Sequence, residues 1–356
     1  MKNFLFATLV LALLALAVVV TTVTGSKPTS PSGPHGVRFE VARLDISGRS
    51  GIDGRTSAHS IEVGVWLPEI PIEPRRLPLV IYVPGWGSSY DDNSVLCRTL
   101  ASHGYGVVAI SDIAIGARPG WYTADDDGAR LAKFDVSTTE RQIQFSEDAE
   151  RRVQLAAERI SQTLDAVDRA QMTPGIFGVF NLDVVGAIGA SFGGASVAEA
   201  ALTDGRIGLA VDLDGLVFGA AARSVIPKPY IEFNSTVGVV PISEIASTDP
   251  VRRFLAQTNV QQVARQERQR AERRDAFDVT IRGTRHQDFT DELYDWSRAL
   301  SWRPWRERLT RPARVREIID TLTLAALDEW IGTKYGRFTQ MDRSAFPDAA
   351  VIGGGR

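Results

Sequence analysis

A chain of 356 residues, 44% hydrophobic and 23% charged, can bury a sizeable core, which excludes disordered, collagen-like and disulfide-scaffold classes. Forty Lys/Arg against 43 Asp/Glu leave a formal charge of −3, so no cationic surplus exists to neutralise phosphates and nucleic acid is excluded as a partner. One cysteine, Cys97, and four histidines (His35, His59, His103, His286) rule out an internal disulfide and a cysteine-cluster metal site, and leave little room for a histidine-rich one.

Residues 4–20 form an uninterrupted apolar or small run behind Lys2, and 21–25 are small and weakly polar. This reads as an export signal or an uncleaved signal anchor, with Val23-Thr24-Gly25 as a small-residue cleavage site. It implies a periplasmic or secreted location, released or held to the membrane through residues 4–24. Residues 26–36, rich in Ser, Pro and Gly, read as a linker. One domain is then expected over 37–335, with 336–356 as a C-terminal tail.

Eight short runs rich in Val and Ile read as strands: 38–46, 60–67, 77–83, 106–111, 184–188, 209–213, 229–234 and 277–281. The first two lie close enough to pair antiparallel. The later ones are separated by helical stretches at 93–102, 139–170, 194–203 and 313–331. That alternation calls for crossovers, hence an α/β fold with a mostly parallel eight-stranded sheet and helices on both faces. Leu77-Pro78-Leu79-Val80-Ile81-Tyr82-Val83 does not alternate, as fits a strand covered on both faces. Residues 139–170 mix apolar positions with many charges and predict an amphipathic helix with a wet face. Residues 260–276, crowded with charges of both signs (Arg265, Glu267, Arg268, Arg270, Glu272), predict a solvated helix. The acidic run at 125–127 reads as a solvated loop, since no full calcium-ligand pattern accompanies it.

The strand at 184–188 runs directly into Gly189-Ala190-Ser191-Phe192-Gly193, and a helix-compatible stretch follows. G-x-S-x-G at a strand–turn–helix junction is the pattern of a nucleophile elbow, in which a serine sits on a strained turn and flanking side chains would collide with neighbouring backbone. The helix N-terminus behind it offers N–H groups and a positive dipole end where an oxyanion develops. A serine needs a base, and the order Ser, acid, His leaves His286 as the histidine beyond Ser191. It sits in Gly283-Thr284-Arg285-His286-Gln287-Asp288-Phe289, just past the strand at 277–281. Leu209-Ala210-Val211-Asp212-Leu213-Asp214-Gly215 offers two carboxylates; Asp214, at the strand's end before a glycine, is placed to turn toward His286. The loop Val83-Pro84-Gly85-Trp86-Gly87 supplies the second oxyanion donor, which makes the backbone N–H groups of Trp86 and Phe192 the pair. Trp86, Phe192, Trp121 and Tyr122 are candidate aromatics for the substrate pocket. Acyl transfer of this kind requires no metal or organic cofactor.

Over residues 77–332 these blocks, in this order, resemble the serine-dependent platelet-activating factor acetylhydrolase family of α/β-hydrolases and its bacterial relatives. The carrying segments are the strand and oxyanion loop at 79–87, Leu100-Ala101-Ser102-His103-Gly104-Tyr105, the elbow Ser191-Phe192-Gly193-Gly194-Ala195, Ile226-Pro227-Lys228-Pro229 and the histidine block 281–289. Asp214 falls at the family's spacing from the nucleophile. The resemblance implies an α/β-hydrolase fold, a triad of Ser191, Asp214 and His286, and a carboxylic ester hydrolase acting on short-chain acyl or phospholipid-like esters, with a small-molecule or lipid ester as its partner. Ala190 and Pro84 stand where the family has histidine, and the stretch between Ser235 and Phe277 is longer than in the animal enzymes. These departures flank the acyl and leaving-group pockets. A cutinase-like polyester hydrolase is the alternative within enzymes. An inactive, membrane-tethered binding protein on a hydrolase scaffold is the alternative outside them.

Overall fold

The computed structural model describes residues 28–50, 55–71, 76–111, 136–172, 175–294, 309–332 and 336–354. The N-terminal apolar run and the stretch carrying Trp121, Tyr122 and the acidic residues 125–127 lie outside the described residues. Among the described residues no helix is long and apolar enough to cross a membrane.

The described residues place nine strands in one sheet, in the order β1-β2-β4-β3-β5-β6-β7-β8-β9. β1 (Val37–Ser50) and β2 (Arg55–Pro68) pair antiparallel, and β2 runs antiparallel to β4 (Gly106–Ile110). From there the sheet is parallel through β3 (Leu77–Val83), β5 (Phe180–Ala190), β6 (Ile207–Leu213), β7 (Tyr230–Asn234) and β8 (Ala276–Ile281). The continuous apolar run of β3 has its reason in this position. Leu79, Ile81 and Val83 enter the core on one face, while Val80 and Tyr82 enter the core on the other. On the first face pack α2 (Thr139–Ala170), α3 (Phe192–Thr203) and α4 (Gly219–Arg223), through residues such as Ile160, Leu164, Val197 and Ala221. On the second pack α1 (Ser94–Ser102) and α6 (Pro312–Trp330), through Leu96, Leu100, Ile318 and Leu322. Full burial of each such Leu or Ile contributes roughly 1.5–3 kcal/mol relative to exposure.

Local chemistry sets the helix ends. The Thr138 hydroxyl accepts the Arg141 N–H at the start of α2, with Glu140 in the first, dipole-positive turn. Asp249 caps α5 (Pro250–Glu272) by accepting from the Val251 N–H, with proline at the first helical position.

Three expectations change. The sheet has a ninth strand, β9 (Ala349–Gly353), antiparallel to β8, so residues 336–354 are not a loose tail. Phe338 and Phe346 bury beside it, and Phe338 stacks edge-on against Phe277 with centroids 4.9 Å apart. A five-residue edge strand beside glycines carries little periodicity, which is why it escaped the sequence pattern. Residues 32–35 are laid against the end of α1: Gly33 N–H donates to Ser102 Oγ at 3.0 Å and His35 N–H to the Ser102 carbonyl at 3.2 Å. The charged helix is longer than expected and not uniformly solvated. Arg265 is 3% exposed and pairs with buried Glu232 on β7, and Gln269 is buried against the Ile226 backbone.

Candidate active site

The carboxyl ends of β3, β5, β6, β7 and β8 open along one edge of the sheet, and each contributes a loop there. β5 ends at Ala190, and Ser191 follows with φ 54° and ψ −119°, in the left-handed half of backbone space where a side chain is strained by about 1–3 kcal/mol. The turn survives because its surroundings over-determine it. Ser191 N–H donates to the Leu213 carbonyl at 2.9 Å, and α3 begins at the next residue. A Cβ on Gly189 would overlap the Gly193 carbonyl, and one on Gly193 would overlap the Val83 carbonyl of β3. The motif glycines are therefore a steric requirement of packing the elbow between strand and helix.

β6 ends in a second strained residue. Asp214 has φ 62°, its N–H donates to the Phe233 carbonyl at 2.9 Å, and its Oδ1 accepts from Ser235 N–H at 2.5 Å. The other carboxylate oxygen is thereby aimed at the loop after β8. That loop turns at Gly283 (φ 68°), is held by the Thr236 hydroxyl, and carries His286 at the head of the one-turn helix His286–Phe289. Arg285 and Asp288 cap that turn reciprocally.

His286 Nε2 lies 2.8 Å from Ser191 Oγ, and Nδ1 lies 2.8 Å from Asp214 Oδ2. With the proton on Nδ1, the ring donates to Asp214 and accepts from the serine hydroxyl, the arrangement in which an imidazole can take the serine's proton. Burial pushes the imidazole toward its neutral form, but the hydrogen bond and charge of Asp214 more than offset this, so its pKa sits above the ordinary histidine value. Asp212, the rival carboxylate, points into the protein. Its Oδ1 accepts from Gly215 N–H at 2.7 Å and its Oδ2 from the Tyr230 hydroxyl at 3.0 Å. Burial and the nearby Glu232 hold its carboxyl well above the usual carboxylate range.

The loop after β3 closes the other side. Gly85 runs beside Ser191, so that a Cβ there would lie 3.6 Å from Ser191 Cβ, and Trp86 is the next residue along the loop. Phe192, first residue of α3, has an N–H with no helical carbonyl to meet. The Trp86 and Phe192 rings meet edge-to-face at 4.8 Å, and the Arg152 guanidinium covers the Trp86 ring at 4.5 Å. Sequence reasoning missed Arg152; its signal was a charge on the inner face of an amphipathic helix. It also missed Asp92, which accepts from Gly85 N–H at 3.0 Å and from the Tyr82 hydroxyl at 2.6 Å. Burial raises the Asp92 carboxyl to about 7. Among the described residues no group of three His, Cys, Asp or Glu side chains converges to hold a metal ion.

No family model matches the chain. It is 28% identical over 245 residues to the dog platelet-activating factor acetylhydrolase, an alignment covering 64% of this chain and 51% of that protein. The bovine protein of that name is 26% identical over 246 residues, covering 64% and 51%. A probable 1-alkyl-2-acetylglycerophosphocholine esterase from Arthroderma benhamiae is 24% identical over 229 residues, covering 60% and 52%. The chain thus spans about half the length of the curated relatives it matches. A solved ferulic acid esterase from Streptomyces cinnamoneus superposes with a TM-score of 0.66 at 17% identity, covering 92% of this chain and 99% of that one. The chain has the α/β-hydrolase fold. In an α/β-hydrolase, the strand–serine–helix elbow and the loops after the following strands are where acyl-transfer chemistry is assembled, and here Ser191, Asp214 and His286 occupy those positions.

Proposed function

We propose that this chain is a serine carboxylic ester hydrolase that works through an acyl-enzyme on short-chain acyl esters. The observation that carries the proposal is the continuous relay from Ser191 Oγ through His286 to Asp214, with 2.8 Å at each junction. Ser191 Oγ attacks the ester carbonyl carbon while its proton passes to His286 Nε2. Asp214 holds the tautomer and stabilises the imidazolium so formed. The oxyanion rests on the backbone N–H groups of Trp86 and Phe192; losing one such donor typically costs about 2.7–4 kcal/mol in the barrier. His286 then gives its proton to the departing alkoxide, leaving an acyl-serine and a free alcohol. Water, deprotonated by the same imidazole, returns the serine and releases the acid. The names of the relatives, an acetylhydrolase and an acetylglycerophosphocholine esterase, support a short acyl group. Release of p-nitrophenol from p-nitrophenyl acetate tests the proposal. Ser191→Ala is expected to lower kcat by about 10³-fold or more, and unchanged turnover in that variant would refute it.

The same reading includes export. The unbroken apolar run at 4–20 behind a single lysine supports a signal or anchor that takes the enzyme out of the cytoplasm. The chain expressed from its own start is expected in the periplasm, the medium or the membrane fraction, and deletion of residues 1–25 is expected to leave it in the cytosol, folded and active. Full-length protein found in the cytosolic fraction would defeat this part.

A further inference from the structure

A groove of about 1040 Å³ lies beside the candidate triad, with Asp214 and His286 among its lining residues. One wall is the loop after β7, through Val237, Val239 and Ile242; the other is Leu216 with Leu255 and Val263 of α5. Several of these are exposed although apolar: Ile242 is 54% and Val263 43% accessible. Three amide side chains of the lining are already engaged. Asn259 Nδ2 donates to the Val240 carbonyl at 2.6 Å, Gln262 Nε2 to the Val217 carbonyl at 3.0 Å, and Gln266 Nε2 to Glu232 at 2.6 Å and Asn234 at 3.0 Å. The charges are paired as well: Glu232 with Arg265, and Arg285 with Asp288. Among the described residues, then, the groove offers a bound group apolar wall and no uncompensated charge.

Its position relative to the reaction follows from the sheet order. The oxyanion loop leaves β3, the nucleophile leaves β5, the acid leaves β6 and the base leaves β8. In the tetrahedral intermediate the carbon bears Ser191 Oγ, the oxyanion, the acyl group and the leaving oxygen. The oxyanion faces the β3 side. The leaving oxygen must face His286 Nε2, because that nitrogen protonates it. The skeleton of the alcohol continues from that oxygen past the imidazole, away from β3, which is the direction in which the groove runs.

We infer that this groove receives the alcohol portion of the ester, and that the alcohol is an uncharged, extended alkyl or aryl group. The inference rests on the hydrolase reading above and specifies its leaving group. A phosphate or quaternary ammonium on the alcohol would be set against valine and isoleucine walls with no free counter-charge, an arrangement that costs binding. Apart from Leu216, these wall residues come from the segment between Ser235 and Phe277. The step balances: the serine O–H proton passes through His286 to the alkoxide, the ester C–O bond breaks as the acyl–serine bond forms, and one neutral alcohol leaves.

The experiment compares purified full-length enzyme on acetate esters whose alcohol is ethyl, octyl or an acetylated glycerophosphocholine, and on ethyl esters with acyl groups from acetyl to octanoyl. Octyl acetate is expected to exceed ethyl acetate at least tenfold in kcat/KM, in line with the selectivity that added methylenes gain in an apolar pocket. Val263→Asp, on the helix wall, and Ile242→Asp, on the loop wall, are each expected to cut the octyl-to-ethyl ratio about tenfold. An octyl-to-ethyl ratio unmoved by both variants would overturn the inference. So would a loss falling on the acyl series instead, or a preference for the glycerophosphocholine ester. Absence of turnover on every ester by the unaltered chain would overturn the hydrolase reading itself, a distinct outcome.

Discussion

The two flanks of Ser191 are built to different specifications. On the β3 side, Pro84 and Gly85 are buried, Asp92 is partly buried, Gly85 lies beside Ser191, and a single carboxylate fixes both the loop N–H and the Tyr82 hydroxyl. On the β6–β8 side, strained Asp214 and half-exposed His286 look out onto a groove whose walls are partly bare valine and isoleucine. One flank holds backbone dipoles whose placement matters, since a misplacement of 1 Å can cost a hundredfold in rate. The other is wide and apolar, which suits binding a variable group by contact area. On the proposed hydrolase reading, transition-state chemistry and substrate choice would be carried by opposite ends of the same strand edge.

The sharpest way to break this comparison is to act on the carboxylate at the hinge between the flanks. Asp214→Asn keeps the shape but loses the charge that stabilises the imidazolium and selects its tautomer, and is expected to lower kcat by about 10⁴-fold. Asp212→Asn, two residues earlier, alters a carboxylate whose Oδ1 serves Gly215 and whose Oδ2 serves Tyr230, and neither oxygen is bonded to the imidazole. Its effect is expected on the melting temperature, from a loss of about 1–3 kcal/mol, with kcat falling far less. Steady-state rates and thermal melts of the two variants give the comparison. Equal rate losses would mean that the two carboxylates share one role.

A smaller effect is expected on the buried flank. Asp92→Ala removes the acceptor of Gly85 N–H and frees the loop that carries the Trp86 N–H. A loss of about 10²-fold in kcat with little change in KM is expected, because the donor acts on the oxyanion and not on the ground-state ester. Asp92→Asn, which keeps a carbonyl acceptor, should recover part of it. A change confined to KM would place Asp92 in substrate binding and redraw the division between the flanks.

How much of this was legible in the sequence differs between the flanks. The elbow is written in glycines, because only glycine permits the approach of β5, α3 and β3, and the catalytic histidine had one candidate beyond Ser191. Asp214 was distinguished by its place before Gly215. The pairing of β1 with β2 and the parallel run that follows came from strand spacing. The groove was illegible: its walls are single valines and isoleucines scattered over a loop and a helix, brought together only by tertiary packing. Asp92 was hidden in the polar stretch Tyr90-Asp91-Asp92-Asn93, where it reads as a helix start. Arg265 looked like one solvated charge among many, since the sequence does not announce that Glu232 on a distant strand will meet it. Long-range polar pairs carry no periodicity, so composition around them points to the surface even when they are buried.

The smallest effect lies in the pH profile, and it bears on the hinge itself. A general base must be neutral to accept a proton, so kcat/KM rises with pH through the midpoint of the free enzyme's imidazole. For His286, burial opposes two nearby carboxylates, Asp214 foremost and Glu292 behind it. Burial favours the neutral ring and pushes the midpoint down, while the Asp214 carboxylate favours the imidazolium and pushes it up, with the second prevailing. The acid limb of the profile is therefore expected above the ordinary histidine value of about 6.5. In Asp214→Asn the larger upward influence is gone, leaving burial opposed only by Glu292, so the residual activity should survive to lower pH than in the unaltered enzyme. Measuring kcat/KM against pH for both proteins on one acetate ester decides it. Coincident midpoints would show that the carboxylate does not act on the imidazole electrostatically, and would leave it only the task of orienting the ring.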